Sequence, residues 1–220
     1  MAKILENRDI TRLIERNSDK NKELNSALIA CASIWGVKAS EISRILIDDI
    51  LDAKGELKKK WVLRAEISHN RYARELYTEH KSLIGYIDIY LNWRVSNDYG
   101  TTNLGEFRTL DPESKLFLTD KGEEFKFSRR SSDDKVNLQP TGMNSYFQKL
   151  IKNSGISGFT YKDFRNSLAV NMHRDGNGTP RIKKTIMSYL GIRSYDAFCK
   201  IVNNDPKTLH QVIKGIYNRI

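Results

Sequence analysis

The residues of this 220-residue chain that could do chemistry are mainly cations that would face an anion. In the stretch FTYKDFRNSLAVNMHRDG, residues 159–176, Arg165 stands near the start of an apolar-periodic helix. A guanidinium there offers paired N–H donors that match two oxygens of a phosphate. Lys38 sits at a helix entry, where free backbone amides attract the same anion. Arg181, Lys183 and Lys184 put positive charge on a further helix, and Arg129-Arg130 do so in a polar segment. His69 lies in the turn His69-Asn70-Arg71-Tyr72 and is the type of side chain that exchanges a proton near neutral pH, although a turn histidine is most often simply solvated. Cys31 and Cys199 are far apart and have no partner at metal-ligand spacing, so neither a metal nor a cofactor is expected.

The overall charge agrees with an anionic partner. Lys and Arg number 37 against 27 Asp and Glu, a formal net charge of +10. Such a balance favours polyanions, most simply nucleic acid, because each neutralised phosphate releases counterions. No apolar run approaches the roughly 20 residues of a membrane span. The N-terminus, MAKILENRDITRLIERN, has acidic residues and no continuous apolar core, so it is not a signal peptide. The expectation is a reduced, cytoplasmic protein with no membrane partner.

These side chains must be positioned by a mainly α frame. Periodicity predicts helices over residues 9–17, 19–35, 39–50, 79–97, 142–153, 160–174, 179–190, 194–202 and 206–217. Gly36 ends the second, Ser40 caps the third, and Thr141 caps that over 142–153. Pro180 and Pro206 fit first helical turns. Residues 61–68 and 73–78 read as two strands around a polar turn, and 115–120 as a short strand. Residues 122–137 read as an exposed, mobile loop. The fold class expected is mainly α (α+β), with a small antiparallel β-sheet.

The order of these elements resembles the catalytic domain of the tyrosine recombinases, the phage-integrase family. Gly36-Val37-Lys38-Ala39-Ser40-Glu41-Ile42 is similar to the family's Gly-Leu-Arg-x-Ser-Glu-Leu. The hairpin 61–78 is similar to the one bearing a catalytic lysine. Leu116-Phe117-Leu118 with Lys121-Gly122 resembles a later short segment. Thr160-Tyr161-Lys162-Asp163-Phe164-Arg165 resembles Thr-x-His-x-Leu-Arg, and Leu190-Gly191 resembles Leu-Gly-His. The resemblance implies a single domain over residues 1–220 without the family's N-terminal clamp domain, and a C-terminal helical tail over 203–220.

Family members cleave DNA with a tyrosine that forms a phosphotyrosine link. Two arginines hold the non-bridging oxygens, while histidine and lysine transfer protons. On this chain the first arginine position is Lys38, and the hairpin lysine position falls near His69, with Arg64 and Arg71 close by. The first histidine position is Lys162, and Arg165 matches the second arginine. The histidine after Leu-Gly is Ile192, which can transfer no proton. The nucleophile is expected near residues 199–201, within Phe198-Cys199-Lys200-Ile201-Val202, and no tyrosine is there. Tyr195 and Tyr217 are displaced candidates.

The resemblance implies a protein that binds double-stranded DNA through Lys38, Arg64, Arg71, Lys162, Arg165, Lys183, Lys184 and Arg193, accessory to recombination or integration of a mobile element. Cleavage is expected to be lost. Two alternatives stay open: an active, divergent recombinase using a displaced tyrosine, and a basic protein–protein module. A recombinase partner, or self-association through Leu209, Val212, Ile213 and Ile216 of the terminal helix, fits any of them.

Overall fold

A computed structural model describes residues 3–132, 135–203 and 205. Its centre is α2 (Lys22–Trp35), which follows α1 (Asn7–Glu15). The second half of α2 is apolar apart from Ser33, and Leu28, Ile29, Cys31, Ala32 and Trp35 are fully buried. It packs on α1, on α5 (Lys81–Ser96) and on α7 (Tyr161–Asp175). Gly36, at φ +58°, ends α2 in a left-handed conformation.

Strands β1 (Lys60–Leu63) and β2 (Arg74–Tyr77) form an antiparallel ribbon with Trp61 opposite Leu76. Trp61 and Leu63 alternate inward, as a half-buried strand requires. The Trp61 ring meets Trp35 edge-on at 4.9 Å, and Trp35 Nε1 donates to the Tyr77 carbonyl at 3.0 Å. This joins the ribbon to α2. On α5, Arg94 is fully buried, and its guanidinium donates to the carbonyls of Tyr99, Lys115 and Leu116 and to Ser114 Oγ. One side chain thereby organises the long connection after α5, since each of those buried acceptors needs a donor.

The C-terminal half stacks α6 (Thr141–Ser154), α7, α8 (Pro180–Leu190) and α9 (Tyr195–Val202). Ala169, Val170, Ile186, Leu190, Phe198 and Val202 make a second apolar cluster that holds α7, α8 and α9 together. No helix among the described residues is long and apolar enough to cross a membrane.

The expected class holds, a mainly α domain with small antiparallel strands. Several local expectations are corrected. The N-caps of the helices begun at Ala39 and Thr141 are Lys38 and Pro140, not Ser40 and Thr141, and the strand over 61–68 ends at Leu63. The helix over 39–50 is two single turns, α3 (Ala39–Ile42) and α4 (Ile47–Ile50). Between them the backbone is drawn away from helix: the Leu116 N–H donates to the Ile45 carbonyl at 2.7 Å, and the Leu46 N–H is taken by Asp49 at 2.8 Å. The strand over 115–120 is reduced to isolated bridges, Leu46 with Lys115 and Leu118 with Glu124. The loop over 122–137 contains a second hairpin, β3 (Ser128–Ser132) with β4 (Lys135–Gln139), so the strands form two separate ribbons. The expected helix over 206–217, the tail stripe and Tyr217 lie outside the described residues.

Candidate functional site

Thr160 caps α7: its N–H and hydroxyl both bond Asp163 Oδ2 at 2.8 Å. This fixes the first turn, from which Lys162 and Arg165 project. Arg165 is half-buried, and its Nη2 donates to the Leu190 carbonyl at 2.6 Å, at the C-terminal end of α8. A cation suits that end of a helix dipole. The Arg165 Nε has no acceptor among the described residues. Burial lowers the pKa of this guanidinium, Glu41 opposes that shift, and Arg74 adds to it.

Glu41, on α3, organises the floor beneath. It is fully buried, and its carboxylate accepts from Arg74 Nη1 at 2.9 Å and Nη2 at 2.8 Å, and from His69 Nδ1 at 2.8 Å. The backbone N–H groups of His69 (3.0 Å) and Lys38 (2.7 Å) complete its shell. Burial alone would raise the Glu41 pKa, but the bonds from His69 and Arg74 outweigh it and hold the carboxyl well below its ordinary value. Glu41 therefore fixes His69 and Lys38 in one frame. Burial lowers the pKa of Lys38, and Arg165 adds to that.

Two hollows open above this floor and share Arg165 and Asn166. One, about 400 Å³, is lined by Lys38, Ser40, Asn144, Tyr161 and Lys162. The other, about 320 Å³, is lined by His69, Asn70, Arg193, Ser194, Ala197 and Ile201. Beyond Ile192 a third hollow holds Lys183, Lys184 and Tyr195, and through Lys184 and Ser188 it adjoins a fourth with Arg181, Tyr77 and Tyr189. Among the described residues the one carboxylate anywhere along the four walls is Glu75, which is paired with Lys60. Among the described residues no carboxylate lies within salt-bridge reach of Lys38, Lys162, Arg165, Lys183, Lys184 or Arg193.

The structure brings Lys38, His69, Lys162, Arg165 and Arg193 to the first two hollows, and Lys183, Lys184 and Tyr195 to the third. Arg64 and Arg71 line none of the four. Arg64 is held by Asp49 at 2.7 Å, and Arg71 sits exposed at the tip of its loop with φ +60°. Tyr195 packs beside Lys183 and does not line either hollow that holds Arg165. Phe198 is wholly buried in the second cluster, facing His173. Tyr161 does present a phenol at the first hollow, but its hydroxyl donates to the Val37 carbonyl at 2.8 Å and burial pushes its pKa well up. Glu41 and Arg74 escape sequence reasoning as site residues. Glu41 was visible in the Gly36–Ile42 motif, whereas nothing in the strand pattern marks Arg74 as its partner.

By sequence, no known family profile and no curated protein matches the chain. The fold does match solved structures. XerA recombinase superposes with a TM-score of 0.68 at 18% identity, covering 98% of this chain and 65% of that one. XerH site-specific recombinase, bound to palindromic difH substrate in a post-cleavage complex, gives 0.60 at 14%, over 95% and 52%. This chain has the tyrosine recombinase fold. A lambda integrase dimer bound to a COC′ core site gives 0.58 at 13%, over 93% of this chain and 60% of that one. The chain thus spans between 52% and 65% of the length of these three structures. Within the recombinase fold, the α9 residues that reach the Arg165 hollow are Ala197 and Ile201, one helical turn apart and both aliphatic.

Proposed function

We propose that this protein binds double-stranded DNA along the four basic hollows and does not cut it. The observation that carries the reading is the wall composition: a run of Lys and Arg side chains of which only Arg74, held by the buried Glu41, has a carboxylate partner among the described residues, interrupted by one paired glutamate. Lys38, Lys162 and Arg165 line one hollow, where three cations can meet the oxygens of a backbone phosphate. The similar structures of XerH and lambda integrase are DNA complexes, which supports the same use of this surface.

The loss of cleavage rests on the second hollow. His69 lines it and could pass a proton, but α9 offers Ala197 and Ile201 where a nucleophile would have to stand, and Ile192 offers no proton. Binding outlives such losses because a nucleophile and a proton donor act mainly in the transition state. The role that follows is accessory to recombination or to integration of a mobile element. The test is a nicked suicide substrate, which traps any covalent protein–DNA product, run beside a gel shift on the intact duplex. A shifted band with no covalent product supports the reading. A covalent product abolished by Tyr195→Phe would show an active enzyme with a displaced nucleophile, and no shift even at low salt would end the DNA assignment.

A further inference from the structure

Tyr72 and Tyr195 are 56% and 54% exposed, while Tyr90 is wholly buried. Each exposed ring has a cation beside it. The Arg193 guanidinium lies 4.6 Å from the Tyr72 centroid, and the Lys183 ammonium 6.0 Å from that of Tyr195. Arg193 lies in the short turn between α8 and α9 and Tyr195 opens α9, so the order along the surface is ring, cation, ring, cation. On the far flank of α8, Tyr77 is 42% exposed and stacks on Tyr189 at 6.4 Å, in the hollow that also holds Arg181 and Lys184. The exposed phenols thus lie along the basic band.

Cations alone suffice to track the backbone of a duplex, and paired bases hide their faces within the stack. A ring covered by a cation on one face keeps its other face for a flat partner. Aromatic rings spaced between cations are the arrangement by which proteins hold unpaired bases and their phosphates together. A protein partner fits the Tyr195 end less well, because lysine is depleted at the centres of protein interfaces and Lys183 and Lys184 stand beside that ring. The hollow around Tyr195 combines an apolar wall of Pro180, Met187 and Ile192 with the polar ends of Lys183, Lys184 and Ser188, which suits a base beside its phosphate.

We infer that this band holds single-stranded DNA, with one unpaired base stacked on Tyr72, another on Tyr195, and the intervening phosphates passing Arg193, Lys183 and Lys184. The inference rests on the DNA reading above and adds to it the unpaired base as a ligand.

The test compares a fluorescent single-stranded DNA, the blunt duplex of the same sequence and the matching RNA strand, by anisotropy at about 0.3 M salt, where binding through phosphates alone fades. The single strand should bind more tightly than the duplex. The double variant Tyr72→Leu/Tyr195→Leu should weaken single-strand binding roughly tenfold or more and erase that preference. Tyr72→Trp should retain it, and the added indole emission should be quenched by oligo-dT. Equal single-strand affinity of parent and double variant, or preference for the RNA strand, would overturn the inference while leaving duplex binding standing. Failure to bind any DNA would overturn both readings.

Discussion

Glu41 concentrates the most consequence in one side chain. It is buried, charged and bonded by a guanidinium, an imidazole and two backbone amides. Removing one partner of a buried pair leaves the other charge uncompensated. Glu41→Ala should therefore destabilise the fold by about 3–5 kcal/mol in urea unfolding, with Arg74 as the stranded group. The pH dependence follows from the depressed carboxyl. Its stabilisation is fully present above the unfolded carboxylate pKa of about 4.3 and is lost as pH falls below that towards the lower folded value. Unfolding free energy measured from neutral to acid pH should fall in that window for the parent, and more shallowly for Glu41→Gln. Arg165 is the matching residue for binding. Arg165→Ala should weaken duplex DNA about 10- to 100-fold in a gel shift, the range set by roughly 1.5–3 kcal/mol for charge-assisted bonds. Arg165→Lys should recover only part of it, because an ammonium keeps the charge but not the paired donors.

At the scale of elements, the site depends on turns that hold helix ends together. Gly36 joins α2 to the Lys38 turn at φ +58°, and a Cβ there would run into Leu190 Cδ2 and lie 3.0 Å from Leu168 Cδ2. Gly36→Ala should cost about 2–4 kcal/mol, from left-handed backbone and overpacking together. It should also weaken DNA binding, since the same turn places Lys38 against α7; thermal melting and anisotropy would show both. This turn was legible in the sequence because a glycine after an apolar run marks a helix end, and α7 was legible from its apolar period, whereas the bonds of Thr160 to Asp163 that fix its start emerge only in the structure. The break between α3 and α4 was not legible. Local propensity favours one helix, and the chain leaves it only to bond residues 115 and 116, about seventy positions away, a contact no local pattern encodes. The Arg74–Glu41 pair was hidden for the same reason. A strand arginine reads as solvated until the fold turns it inward beneath Lys38.

At the scale of the whole molecule, the hollows differ in charge. The basic band runs across four hollows, while the cavity between α1, α2, α5 and α7, about 540 Å³, is lined by Asp175 and by no Lys or Arg. Within a net charge of +10 the band is a local concentration of cations. Such a concentration predicts how affinity responds to salt. If Lys38, Lys162, Arg165 and Arg193 each neutralise one phosphate, a plot of log affinity against log salt should have a slope of roughly −3.6, a loss of about 150-fold between 50 and 200 mM salt. Lys162→Ala removes one such contact from an exposed position without disturbing the floor beneath. It should reduce the steepness by about one and weaken all duplex sequences alike, because a phosphate contact reads no bases. Reversing a charge outside the band tests the alternative that net charge alone matters. Lys54→Glu subtracts two charges on the far side of the ribbon from α8, in the turn after α4. On the band hypothesis its slope should match the parent's, whereas a slope reduced as much as that of Lys162→Ala would mean that the protein attracts DNA as a diffuse cation with no defined surface.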